Sequence, residues 1–99
     1  MRLHRHKFRR WLEEKSPTEI VGKQRDCHAC PIADFYYEAS RGCEVVISDS
    51  CGFGYMIDRG YSERRLPAWA DAFVFLVDGE DAPQVSAARA LELLGQIAA

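Results

Sequence analysis

A short stretch, residues 26–38, constrains the fold of this chain more than any other part of its sequence. It reads Asp-Cys-His-Ala-Cys-Pro-Ile-Ala-Asp-Phe-Tyr-Tyr-Glu and places Pro31 directly after a C-x-x-C motif formed by Cys27 and Cys30. Proline is favoured in the first turn of a helix, because its missing N–H would have no partner there. The sequence therefore predicts a helix that begins at Pro31, with both sulfurs near its positively polarised end.

Apolar residues at helical spacing predict further helices on both sides of this one. The predicted helices cover residues 4–15, 17–21, 31–40, 66–77 and 86–98. The second starts with the capping box Ser16-Pro17-Thr18-Glu19 and ends at Gly22, and Ser86 caps the last. Their apolar stripes predict a shared core of six residues. These are Trp11, Phe35, Trp69, Phe73, Leu91 and Leu94.

The middle of the chain has the pattern of a hairpin. Residues 43–48 and 53–58 are rich in strand-forming side chains, and Asp49-Ser50-Cys51-Gly52 between them is typical of a turn. Residues 59–65 and 78–83 are polar and are predicted to be loops. The predicted class is α+β, with about five short helices around a small antiparallel β-hairpin in one globular domain spanning residues 1–99.

Length and composition are typical of a folded protein with one core. The chain has 99 residues, of which 47% are hydrophobic and 28% charged. No apolar run approaches the roughly 20 residues needed to span a bilayer. The basic N-terminus is not followed by the apolar stretch of a secretory signal, so we expect a cytoplasmic protein. In that reducing compartment the cysteines are expected as thiols or metal ligands.

Four cysteines are the candidate metal ligands, namely Cys27, Cys30, Cys43 and Cys51. The first pair has the spacing of a zinc knuckle, but the second pair is too widely spaced for one. A redox-active C-x-x-C is a further alternative, although a polar segment stands where a core strand should precede it. Ordinary buried thiols explain the same residues. We predict no cofactor, with zinc as the alternative.

Positive charge is concentrated at the N-terminus. Residues 1–25 carry eight Lys/Arg and three acidic residues, whereas residues 26–99 carry five and twelve. Arg5, Arg9 and Arg10 are therefore candidate contacts to nucleic acid. The favoured interpretation is structural, because Phe8, Trp11 and Leu12 form an apolar stripe and no second basic element extends the patch.

Aromatic residues indicate a second kind of binding surface. Tyr37, Tyr61 and Phe75 fall off the apolar stripes of their segments, and they would mark a protein-binding patch if they clustered. Scattered exposed aromatics are the ordinary alternative. Catalytic motifs such as G-x-S-x-G, H-E-x-x-H or a P-loop are absent from the sequence, so an enzyme is not favoured.

Several segments together resemble a family of small bacterial proteins, mainly cyanobacterial, for which no activity is known. They are Phe8-Arg-Arg-Trp-Leu-Glu, Ser16-Pro-Thr-Glu-Ile-Val-Gly, Cys30-Pro-Ile-Ala-Asp-Phe, Leu66-Pro-Ala-Trp-Ala-Asp-Ala-Phe with Val77-Asp78, and Ser86-Ala-Ala-Arg-Ala-Leu. The resemblance covers nearly the whole chain and implies a shared fold, but it assigns no functional residue.

The sequence favours a non-enzymatic protein-interaction or regulatory module whose partner is another protein or a second copy. The candidate binding residues are Arg5, Arg9, Arg10, Tyr37 and Tyr61. The alternative is a zinc-stabilised module that contacts nucleic acid through the N-terminal helix. No membrane partner is expected.

Overall fold

The computed structural model describes residues 3–24, 29–40, 45–50, 53–58 and 62–97. Over these ranges the chain forms four helices and five short strands, which confirms the α+β class with one helix fewer than predicted. The helices are α1 (Arg5–Glu13), α2 (Pro31–Ala39), α3 (Ala68–Asp78) and α4 (Ala87–Gly95). The strands are β1 (Ile20–Lys23), β2 (Val45–Ser50), β3 (Phe53–Asp58), β4 (Ser62–Arg65) and β5 (Gln84–Ser86).

The predicted hairpin is present and belongs to a three-stranded antiparallel sheet ordered β2-β3-β4. Its register pairs Val45 with Asp58 at one end and Ser50 with Phe53 at the other. The prediction of a polar loop over residues 59–65 is wrong for its last part, because Ser62–Arg65 pairs with β3. The sequence of β4 is polar, so its pairing rests on the free backbone edge of β3 and not on an apolar pattern.

A second antiparallel sheet joins β1 to β5, and the predicted helix over residues 17–21 is wrong. The Ser16 carbonyl accepts one hydrogen bond from the Glu19 N–H at 2.9 Å, and the chain then extends. A five-residue helix gains little from its own hydrogen bonds. In the extended form Val21 is buried and its strand pairs with β5, which is a larger gain than one helical turn.

Gly22 allows β1 to pass directly against the start of α2. A Cβ atom at this position would lie 2.5 Å from the backbone nitrogen of Pro31 and 2.8 Å from the carbonyl carbon of Cys30. Such distances lie well inside van der Waals contact. The residue that the sequence suggested as a helix terminator is therefore a point of close backbone approach.

Phe8 of α1 lies at the centre of the core and is 0% exposed. Its ring centroid lies 5.0–5.9 Å from those of four other aromatic residues. These are Trp11, Phe35, Trp69 and Phe73. Of the six predicted core residues, Phe35, Phe73 and Leu94 are buried, and Trp11, Trp69 and Leu91 pack against the core while partly exposed. The shared core is thus confirmed, with Phe8 at its centre.

Two side chains cap α4, one at each end. The Ser86 hydroxyl accepts a hydrogen bond from the Arg89 N–H at 3.2 Å, which confirms the predicted N-cap. At the other end the Arg5 guanidinium donates to the carbonyls of Leu94 and Ile97 at 2.9 and 2.8 Å. Helix C-termini leave carbonyls without intrahelical partners, and a cation there also complements the helix dipole. Arg5 therefore ties the first helix to the last.

Candidate functional site

Helix α3 forms because its apolar residues, at helical spacing, give it one face that can be buried. Leu66 is buried just before the helix, and Pro67 is its N-cap with extended backbone angles (φ −56°, ψ 152°). Ala70, Phe73 and Val77 form the buried face at helical spacing. The helix has 11 residues, and within the described ranges no helix combines the length and apolarity that a membrane span needs.

The opposite face of α3 is also apolar, and it carries Phe75 with 77% of its surface exposed. Ala68, Ala72 and Gly79 fall on the same side of the helix as Phe75 and lie beside a groove of about 1080 Å³. Because these neighbours are small, the Phe75 ring stands above its surroundings. An exposed aromatic ring on an apolar helix face is a candidate site of interaction.

Several of the residues that line this groove also pack against the core. Trp69 lines it, and the Trp69 ring lies 5.7 Å from Phe8 between centroids. Val74 and Leu76 also line it and pack against the core, while Gln96 and Ile97 bring in the end of α4. We call this depression the α3 groove. It rests on packed elements, so its shape is preformed.

Two carboxylates border the α3 groove on one side. Asp71 and Asp78 line it and are seven residues apart, which places them on the same edge of α3, about 10.5 Å apart along its axis. We call this the acidic edge. The C-terminal end of α3, beside Asp78, adds partial negative charge from its carbonyls. Arg65 lines the opposite, N-terminal end of the groove.

The structure separates the roles of the three basic candidate residues. Arg5 is bound to carbonyls at the end of α4. Arg9 and Arg10 are exposed on α1, and the Arg9 Nε lies 3.6 Å from a carboxylate oxygen of Glu13. The apolar face of α1 is turned to the core through Phe8 and Leu12. The predicted apolar stripe of α1 therefore belongs to the core, and the role of its basic residues stays a prediction.

The off-stripe aromatic residues do not share one surface. Phe75 is exposed as predicted and lines the α3 groove. Tyr37 is 49% exposed but lines a different pocket of about 120 Å³, together with Trp11 and Lys15. In that pocket the Lys15 ammonium lies 4.9 Å from the Trp11 ring centroid, within cation–π range. Tyr61 lies outside the described residues.

Of the four candidate metal ligands, only Cys30 lies in the described part of the chain; Cys27, Cys43 and Cys51 lie outside it. Cys30 is the N-cap residue of α2 and is 4% exposed. Desolvation by burial raises the pKa of its thiol to about 12, although N–H groups of Ala33 and Ile32 act in the opposite direction. Burial therefore outweighs the helix N-terminus, and this sulfur is a neutral thiol at pH 7, not a nucleophile.

Cys30 is expected to make stability fall at alkaline pH. Its pKa is raised from 9.0 to about 12 on folding, so the folded state holds a proton that the unfolded state releases. The contribution of the Cys30 thiol to the free energy of unfolding is complete below about pH 9. Above that pH it decreases by up to about 1.4 kcal/mol per pH unit. Urea unfolding of the wild type and Cys30→Ala between about pH 8 and 10.5, in reductant, measures the difference between them.

The control is internal, because every other titrating residue is shared by the two proteins. We expect the stability difference between wild type and Cys30→Ala to shrink by about 1–2 kcal/mol over this range. Alkylation at neutral pH provides a second measurement, since Cys30 should react only when the protein unfolds. A constant stability difference, or rapid labelling of native Cys30, would contradict the assignment.

The described residues place one exposed aromatic ring, that of Phe75, on the α3 groove. Across the described ranges, no three His, Cys, Asp or Glu side chains gather into a set that could hold a metal ion. The α3 groove is lined by apolar side chains together with Asp71, Asp78 and Arg65. Phe75 was recognisable from the sequence, whereas the acidic edge was missed. The seven-residue spacing of Asp71 and Asp78 was the available signal.

Comparison with known proteins adds no relative to this picture. No protein-family model matches the chain, and neither the curated proteins nor the solved structures contain a match. The resemblance to small cyanobacterial proteins therefore stays a prediction.

Proposed function

We propose that this protein is a small, non-enzymatic, cytoplasmic interaction module that binds another protein chain in the α3 groove. The observation that carries the proposal is Phe75, 77% exposed in the middle of an apolar helix face. Burying an aromatic ring and its small neighbours on a partner would remove this area from water, at about 25 cal/mol per Å². Exposed aromatic residues of this kind are typical anchors of protein interfaces.

The contacts that the basic residues make within the protein support a protein partner over nucleic acid. Arg5 is bound to α4 carbonyls, and the Arg9 Nε lies 3.6 Å from a carboxylate oxygen of Glu13. Nucleic-acid affinity depends on the number of phosphates that are neutralised, so a basic side chain that is engaged within the protein contributes less to it.

An unbiased peptide selection tests the proposal without knowledge of the natural partner. A displayed peptide library is selected on the immobilised protein, and the enriched peptides are measured against wild type and Phe75→Ser. We expect peptides that lose at least about tenfold in affinity for Phe75→Ser, because a buried aromatic anchor carries much of the binding energy.

Tyr37→Ser is the matched control, since Tyr37 is also exposed but lies at the other pocket. Peptides that bind the α3 groove should bind Tyr37→Ser as well as wild type. Failure to enrich any peptide, or equal binding to Phe75→Ser, would remove the support for this function. Circular dichroism confirms that both variants are folded.

A further inference from the structure

The contact between the first and last helices bears on the shape of the α3 groove. Arg5 of α1 donates two hydrogen bonds to carbonyls at the end of α4, and residues at that end line the groove. We propose that Arg5 is a positioning residue for the groove, because its guanidinium fixes the end of α4 as one wall. The inference rests on the proposed function, since a fixed wall affects what binds beside it.

The wall consists of Gln96 and Ile97, which follow the last residue of α4. Gln96 is exposed, whereas Ile97 is half-buried and packs against the core. Their N–H groups donate to the carbonyls of Leu93 and Leu94 at 3.1 and 3.2 Å, which closes the helix with a tight turn. The last turn of a helix frays easily, because its carbonyls lack intrahelical partners. The turn alone therefore holds the wall weakly.

Arg5 holds this turn at two points. Its Nη2 atom donates to the Leu94 carbonyl at 2.9 Å and to the Ile97 carbonyl at 2.8 Å. Arg5 and Ile97 are 92 residues apart in the sequence, so the second bond joins opposite ends of the fold. Hydrogen bonds from a charged donor are stronger than those between neutral groups. The guanidinium therefore fixes both carbonyls, and the backbone between them, relative to α1.

Helix α1 is a firm anchor for the Arg5 side chain. Phe8 and Leu12 of this helix are 0% exposed. The Phe8 ring also lies 5.7 Å from that of Trp69, which lines the groove from α3. Arg5 therefore sets the position of the α4 wall relative to the α3 side of the groove. A wall that is fixed before binding reduces the entropy that is lost when a partner binds.

Hydrogen exchange tests the positioning without any ligand. NMR measures exchange of the Gln96 and Ile97 amides in wild type, Arg5→Gln and Arg5→Lys. We expect exchange at least about tenfold faster in Arg5→Gln, because the turn then opens locally more often. Arg5→Lys should recover part of the protection, because its ammonium can still donate to a carbonyl. The methyl resonances of Ile97 and Leu76 should also shift in Arg5→Gln, since both side chains line the groove.

Ser86→Ala is the matched control, because it removes the cap at the opposite end of the same helix. It should change exchange at Gln96 and Ile97 by less than about twofold, since opening of the last turn is local. Arg9→Gln makes the same change in net charge on α1 as Arg5→Gln and should behave like wild type. Circular dichroism confirms that each variant is folded.

Peptide affinity tests the consequence for binding. A peptide selected from the library for its dependence on Phe75 is titrated against the same variants by fluorescence anisotropy. We expect Arg5→Gln to weaken binding by about three- to tenfold, because the wall must then be ordered when the peptide binds. Ser86→Ala and Arg9→Gln should bind the peptide as well as wild type does.

The outcomes separate this inference from the proposed function. Unchanged exchange at Gln96 and Ile97 in Arg5→Gln would overturn the inference, whatever the peptides show. Faster exchange with unchanged affinity, or equal losses of affinity in Arg5→Gln and Ser86→Ala, would overturn the positioning role and retain the interaction module. If no peptide depends on Phe75, the proposed function fails, and the exchange rates and methyl shifts alone decide whether Arg5 fixes the wall.

Discussion

Replacing Phe8 by Ala is expected to lower the free energy of unfolding by about 3–5 kcal/mol. The ring is 0% exposed and lies among four aromatic rings with centroids 5.0–5.9 Å away. Truncation removes its apolar area and leaves a cavity that the surrounding rings cannot easily fill. The free energy of unfolding of a small domain is only about 5–15 kcal/mol in total, so the variant should be near the limit of folding. Urea unfolding followed by circular dichroism measures the loss.

Phe75→Ala is the matched control, because it is the same substitution in a helix of the same core. Phe75 is 77% exposed, so its truncation should change stability by less than about 0.5 kcal/mol. A loss below about 1 kcal/mol for Phe8→Ala, or similar losses for both variants, would show that the core is not centred on α1.

Replacing Gly22 by Ala is expected to destabilise the protein by about 1–3 kcal/mol or more, although only one methyl group is added. The new Cβ would lie 2.5 Å from the Pro31 nitrogen, 2.6 Å from Pro31 Cδ and 2.8 Å from the Cys30 carbonyl carbon. Two of these atoms are backbone and the third belongs to a rigid ring, so relief requires β1 to move away from α2. The pairing of β1 with β5 should weaken as a result.

Gly95→Ala isolates this effect from the general consequences of replacing glycine. A Cβ at Gly95, the last residue of α4, meets nothing within 4 Å. Alanine is favoured over glycine in a helix, so this variant should be neutral or more stable by up to about 1 kcal/mol. Thermal unfolding of both variants gives the comparison. Similar melting temperatures for Gly22→Ala and Gly95→Ala would rule out the close approach at Gly22.

The predicted elements that were confirmed share a strong local signal. Helix α2 begins at Pro31 because proline suits the first helical turn, and α4 begins after Ser86 because its hydroxyl caps the helix. The elements that were wrong or missed are the short strands β1, β4 and β5. Each has three or four residues, so its conformation depends on the strand beside it and not on its own sequence.

The capping box at Ser16-Pro17-Thr18-Glu19 shows how tertiary structure overrides a local preference. Its residues favour a helix start, but the chain makes a turn at this point and then enters β1. A cap stabilises by about 1 kcal/mol and acts only if a helix continues beyond it. Burial of Val21 and backbone pairing with β5 outweigh that gain. These competing interactions could not be ranked without knowing where β5 lies.

Local patterns were sufficient to predict the α+β class, the four helices and the exposure of Phe75, because periodicity and caps act over a few neighbouring residues. Packing between distant segments determined three further features. These are the aromatic residues that meet at Phe8, the capping of α4 by Arg5, and the burial that raises the pKa of Cys30. Packing also formed the α3 groove, because α3 and the end of α4 are separate segments that meet only in the folded chain. Such contacts depend on the balance between buried apolar area and lost chain entropy over the whole protein. A local sequence pattern does not contain this balance.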